Sequence, residues 1–430
     1  MVVATALSAF LVLGAAPAMA APTTDRASLS SANVQGNANS IQNTISKDGR
    51  FVAFESAASN LIGTDANGTQ DIFVRNRKSG KTTRASVRTN GTEANGPSSG
   101  PQISNSGRFV AFTSSANNLI GLDGNGVSDV FVRDRDRKKT TRVSTRSNGS
   151  EANGGSSVQG ISGDGRYVVF FSSASNLVPG DSNGTTDVFV KDRKTGKTKR
   201  VSVRTNGAQG NGPSDFSAIS PSGRYVAFLS AATNLVPNDS NGVQDIFVRD
   251  RKNKKTVRAS VANNGAQANN QSFWPSMANN GSVAFPAIAS NLVSNDTNAT
   301  WDIFVHNIKS DKTRRVSLSS AGVESNNNSG VLFAPPKISA NGERIAFDSV
   351  ATNLVAGDSN GVVDVFLHDR TNQTTRRASV RFDGTQSNGQ AFMGDVSSNG
   401  RFVSFLSNAS NLVGGDSNGF YDVFVRGPFN

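Results

Sequence analysis

The chain has 430 residues, 36% apolar and 18% charged, with 42 Gly and no Cys. Lack of cysteine excludes a disulfide scaffold and a thiolate metal centre. The net charge of +12 directs attention to anionic surfaces more than to nucleic acid, which is not expected as a partner.

Residues 4–20, ATALSAFLVLGAAPAMA, form an apolar run that ends in the small-x-small pattern Ala18-Met19-Ala20. That pattern predicts a cleaved signal peptide over residues 1–20, a single domain over residues 21–430, and export to the periplasm or the extracellular space. No later stretch reaches 18 consecutive apolar residues, so no transmembrane segment is expected and the mature chain is read as a monomer.

Beyond this leader the chain repeats. The unit Asp-x-Asn-Gly-x-x-Asp followed by an apolar run starts at Asp65, Asp123, Asp181, Asp239, Asp296, Asp358 and Asp416, in steps of 58, 58, 58, 57, 62 and 58 residues. Only the fifth copy departs from it, with Ala299 in place of Gly. A period of this length carrying several strand-like runs predicts an all-β, seven-bladed β-propeller with four-stranded antiparallel blades.

In the second repeat, Pro101 to Ser104 reads as a short innermost strand and Asn105-Ser106-Gly107 as a turn. Arg108 to Ser114, apolar on both faces, reads as a middle strand packed on both sides. Asp129 to Arg133 follows as the third strand and Thr141 to Thr145 as the fourth. Phenylalanine recurs at two positions, Phe54, Phe112, Phe170, Phe228, Phe285, Phe347 and Phe405, and Phe73, Phe131, Phe189, Phe247, Phe304, Phe366 and Phe424. These residues are expected to form the core.

The last repeat ends after its third strand. Arg26-Ala27-Ser28-Leu29 matches Arg84-Ala85-Ser86-Val87, so the N-terminal segment is expected to complete the seventh blade as its outer strand. This order places the Asp-x-Asn-Gly loops and the inter-blade linkers on one face, here the top. The basic turns, such as Arg75 to Lys81 and Arg249 to Lys255, fall on the bottom.

The strings SPSGRYVAF (Ser220 to Phe228) and DIFVRD (Asp245 to Asp250) resemble the TolB-type, WD40-like propeller repeat. The resemblance covers residues 26–430 and implies a binding role in the bacterial envelope or outside it. TolB itself has six blades behind an α/β domain, and peptidases with a related propeller add a hydrolase domain. This chain shows neither, so the resemblance implies architecture and binding, not Tol–Pal membership or proteolysis.

The two carboxylates of each loop are candidate Ca²⁺ ligands: Asp65 and Asp71, Asp123 and Asp129, Asp181 and Asp187, Asp239 and Asp245, Asp296 and Asp302, Asp358 and Asp364, Asp416 and Asp422. Glu93, Glu151 or Glu324 from the adjacent linker could add a third. The alternative is an Asx-turn with Gly in the left-handed region. Arg108 with Asp134, Arg166 with Asp192, Arg224 with Asp250 and Arg344 with Asp369 should pair across the bottom of each blade.

Apparent catalytic motifs lack context. Gly96-Pro97-Ser98-Ser99-Gly100 has no following helix to form a nucleophile elbow, and Ser79-Gly80-Lys81-Thr82 lies in a hairpin turn. His306 and His368 read as solvated turn residues. The basic turns could attract an anionic envelope polymer, but aromatics are not interleaved with them in sequence.

Symmetry breaks at Trp274 and Trp301, the only tryptophans, with Phe273, Phe333, Phe382, Phe392, Met393, Phe420 and Tyr421 at nearby top positions. Trp274, Trp301, Phe333, Phe392 and Tyr421 are the predicted ligand-binding residues for a glycan or protein partner. The expected function is non-enzymatic binding. The alternative is a polysaccharide-acting hydrolase or lyase, disfavoured because the acids repeat with the blades instead of forming one unlike pair.

Overall fold

The computed structural model describes residues 21–121, 123–330 and 335–430. The leader, predicted as a signal peptide, and Phe333 lie outside the described residues. Among those described, 28 strands form seven four-stranded antiparallel sheets and there is no helix.

Blade two shows the pattern, with strands Ser98–Ile103, Phe109–Ser114, Asp129–Asp134 and Lys139–Arg142. The innermost strand starts earlier than Pro101, and the outer strand ends at Arg142 instead of running to Thr145. It ends there because the next residues leave the sheet: the Ser144 hydroxyl turns in to Asp129, and Thr145 bridges Glu151.

Ring closure is as expected, with its register moved a few residues. Thr23–Arg26 pairs antiparallel with the last strand, Thr23 opposite Gly427 and Arg26 opposite Phe424. Ala27 continues the ladder by donating its N–H to the Val423 carbonyl at 2.7 Å.

The paired phenylalanines of the second and third strands sit directly opposite one another, with ring centroids 5.8–6.3 Å apart in all seven blades. Each pair packs against the preceding blade, as Phe112 and Phe131 do on Ala53, Ile72 and Val74. The core is therefore seven wedges between blades, which is why the middle strands are apolar on both faces.

The first strands of adjacent blades contact one another all round and enclose a central channel. This wall is least regular in blades five and six, where the first strands shrink to Ser276–Met277 and Lys337–Ile338. Pro275, Pro335 and Pro336 precede them, and proline has no N–H to give the ladder.

Candidate functional site

The inner strands of five blades carry a bulge near the top of the channel. The register slips at Gln42 in blade one, at Gly100 and Pro101 in blade two, at Gln159 in blade three, at Phe216 in blade four and at Met393 in blade seven. Trp274 occupies the matching position in blade five. A bulge leaves its extra residue unpaired and aims it out of the ladder, here toward the channel.

Four of these residues have left-handed backbone: Gln42 at φ 41°, Phe216 at 29°, Trp274 at 39° and Met393 at 54°. Such a conformation is costly for bulky side chains, on the order of 1–3 kcal/mol each. All four line one cavity of about 340 Å³ whose wall takes residues from all seven blades.

The cavity is two-sided. Blades one to three present amides and hydroxyls, including Gln42, Ser99, Gln102 and Ser157, while blades four to seven present Phe216, Trp274, Pro275, Pro335 and Met393. From Phe171 an unbroken row of rings runs across blades three to five. Phe171 meets Phe216 at 6.5 Å, Phe216 meets Trp274 at 6.0 Å, Trp274 meets Phe273 at 6.0 Å, and Phe273 stacks on Trp301 at 5.4 Å.

Trp274 and Trp301 are thus brought together through Phe273, as two members of one surface. Phe392 and Tyr421 form a separate edge-to-face pair at 5.2 Å. Phe392 is buried in the wedge between blades seven and one, so it packs the core, and its neighbour Met393 faces the cavity. Phe216, at 41% exposure, was missed in sequence because Phe is common in this chain. The signal that could have found it is its 58-residue offset from Trp274.

Acids also break the symmetry. Glu55 and Asp348 occupy the same position of the second strand in blades one and six, and both are buried. Burial pushes each up to about 7, opposed at Glu55 by the Gly100 N–H it accepts at 3.2 Å. Asp215 and Asp395 are likewise raised by burial, the latter against the pull of Lys337. The expectation that acids follow the repeat holds for the loops and fails for these four.

In the top loops the second Asp of every motif is buried and accepts a serine hydroxyl from the segment after the fourth strand, as Asp71 does from Ser86 at 2.5 Å. An arginine ending the fourth strand lies between both acids: Arg84, Arg142, Arg200, Arg258, Arg315, Arg377 and, in blade seven, Arg26. Its N···O distances to the two acids are 2.8–3.5 Å in every blade.

The motif Asn carbonyl accepts the N–H two residues on, as Asn67 does from Thr69 at 2.8 Å, and its amide donates to the adjacent linker. By spacing, three trios could hold a metal ion, Asp65 with Asp71 and Glu93, Asp123 with Asp129 and Glu151, and Asp296 with Asp302 and Glu324. Burial, with the neighbouring carboxylate adding, raises Asp65, Asp123 and Asp296 to about 6.

The bottom differs from expectation in two respects. His306 and His368 are buried at 1% and 2% exposure and bond Thr313 and Thr375 at 2.9 Å. They fill the site where Arg133 and Arg249 reach carbonyls of the preceding blade, so they are core residues because the strand runs further down than the turn suggested. Aromatics do interleave with the cations: Phe109 lies between Arg108 at 4.7 Å and Arg193 at 4.4 Å, and Tyr167 between Arg166 at 4.7 Å and Arg251 at 4.0 Å. Partners that are far apart in sequence supply the second cation. The expected Arg–Asp pairs are present at 2.7–3.1 Å.

No family model and no curated protein matches the chain. Solved structures do. Oligogalacturonate lyase from Vibrio parahaemolyticus aligns over 95% of this chain and 90% of its own, at 11% identity and a TM-score of 0.52. The β-propeller domain of the Trilobed protease from Pyrococcus furiosus, described as having an open velcro topology, aligns over 90% and 95% at 11% identity and a TM-score of 0.52. A putative TolB from Agrobacterium tumefaciens aligns over 65% and 80% at 12% identity and a TM-score of 0.40. At such identities the likeness to the first two establishes the propeller fold alone, a scaffold that enzymes share.

Proposed function

We propose that this chain is an exported, non-enzymatic binding propeller of TolB-like architecture whose ligand enters the central cavity on the top face. One observation carries this reading: four bulky residues, Gln42, Phe216, Trp274 and Met393, are held at positive φ around a single cavity. Strain of this kind persists where a site needs it and is removed by mutation elsewhere. The apolar run ending at Ala20 supports export, and an N-terminus at Ala21 in the secreted protein would test it.

For the cavity, the test is an array of glycans and peptides probed with the wild type and with Trp274→Gly, which glycine's backbone freedom should let fold. Loss of a bound ligand in the variant is expected. Identical profiles would overturn the reading.

A polysaccharide-acting enzyme is the second reading, favoured by Glu55 and Asp348, two acids off the repeat that burial raises to about 7, Glu55 being bonded to Gly100 of the cavity wall. Turnover of a polysaccharide mixture, lost in Glu55→Gln or Asp348→Asn, would establish it.

In the loops the resident cation is proposed to be arginine and not Ca²⁺. A calcium cage needs six to eight oxygens. Here the Asn67 carbonyl accepts a backbone N–H, the Asp71 oxygens accept from Ser86 and Asn67, and Arg84 lies 3.4 Å from both Asp65 and Asp71. On the bottom face a general attraction to anionic envelope polymers remains, carried by the outer lysines and arginines of the turns.

A further inference from the structure

We infer that the ligand is the end of a neutral saccharide chain, an assignment that rests on the cavity being the binding site. A volume of about 340 Å³ lies at the small end of ligand pockets, roughly 300–1,000 Å³, and so suits the end of a ligand and not a folded partner.

Chemistry narrows the class. Among the described lining residues the only charged side chain is Lys337, whose charge acts on the buried Asp395 carboxyl of the next blade and pulls it down against the rise that burial causes. The amino terminus of a peptide would enter with no counter-charge, and the carboxylate of a peptide or an acidic sugar would find only Lys337, whose field already acts on Asp395. A full charge would then rest on one shared lysine, whereas neutral hydroxyls match the several amides and hydroxyls of the wall.

The walls suit a sugar ring, which has an apolar C–H face and a rim of hydroxyls. On one side, Phe216 and Trp274 offer flat apolar surface projected by their left-handed backbone. On the other, Gln42, Gln102, Ser99 and Ser157 have no side-chain hydrogen bond to any described residue and can donate to and accept from hydroxyls. Leaving the cavity, Phe273 and Trp301 continue the apolar track outward over blade five, so further sugar units would stack there.

The test uses tryptophan fluorescence and calorimetry on the mature protein. Probes are neutral oligosaccharides (maltohexaose, cellohexaose and an N-acetylglucosamine hexamer), a galacturonic acid oligomer and a mixed hexapeptide library, with a neutral-glycan array to widen the first set. Binding of a neutral glycan, weakened about tenfold or more in Trp274→Gly and in Gln102→Ala, is expected. Binding of the acidic oligomer or a peptide with the same Trp274 dependence would overturn the neutral saccharide while leaving the cavity as the site. Absence of any neutral glycan ligand also overturns it, and binding unaffected by Trp274→Gly would remove both readings.

Discussion

Ser28 donates its hydroxyl to Asp422 at 2.5 Å across 394 positions of chain. The same bond joins Ser86 to Asp71 within blade one. The N-terminal arm therefore supplies blade seven with a strand and with the serine and arginine that its loop acids need, Arg26 lying 2.8 Å from Asp416.

Closure should depend on that arm. Arg26→Ala leaves Asp416 and Asp422 buried beside an empty space, and breaking such a pair from one side costs about 3–5 kcal/mol. Urea denaturation should show this loss. A midpoint within error of wild type would contradict the role given to Arg26.

Chelation and arginine removal should separate in the loops. With arginine as resident cation, EDTA should not move the thermal midpoint, whereas Arg258→Ala, which strips Asp239 and Asp245 of a partner at 3.3–3.4 Å, should lower stability by about 3 kcal/mol. A chelator-sensitive midpoint would restore calcium to the loops.

Ala299 stands where six other loops have Gly, yet it adopts φ 53°, close to the 64° of Gly68. Ala299→Gly removes the Cβ penalty and should raise stability by up to about 1 kcal/mol. Differential scanning calorimetry would read it as a small upward shift in Tm, and a fall would count against the strain.

Glu55 and Asp348 should make stability pH-dependent with a definite sign. Their folded pKa values, about 7, exceed the ordinary carboxylate values of 4.5 and 3.8, so between those limits the folded state holds more protons than the unfolded state. Stability is then greatest below the lower limit and falls as pH rises toward 7. Glu55→Gln, which keeps an acceptor for the Gly100 N–H, should flatten that fall and be more stable than wild type at pH 8. A parallel pH profile would show that Glu55 is ionised without penalty.

Trp274→Gly and Phe216→Gly should trade function for stability. Each relieves a positive φ at a bulky residue, so neither should lower the unfolding free energy by more than the ring contacts it forfeits, about 0.5–1.5 kcal/mol per aromatic pair. Ligand binding should be lost in both. A collapse of folding would mean that the rings are structural.

Blade number, the phenylalanine core, the face assigned to each loop and the Arg108–Asp134 type of bridge were all legible in the sequence. Each depends on periodicity 58 residues long or on neighbours along one antiparallel pair, where position in the chain dictates position in space. Tertiary structure alone decided which arginine meets Asp71, where the inner strands bulge, that Phe216 and Trp274 share a cavity with Gln42, and that Phe392 is core. Those relationships join residues of different strands or blades, and their distances follow from how seven twisted sheets close around an axis, which no local pattern records.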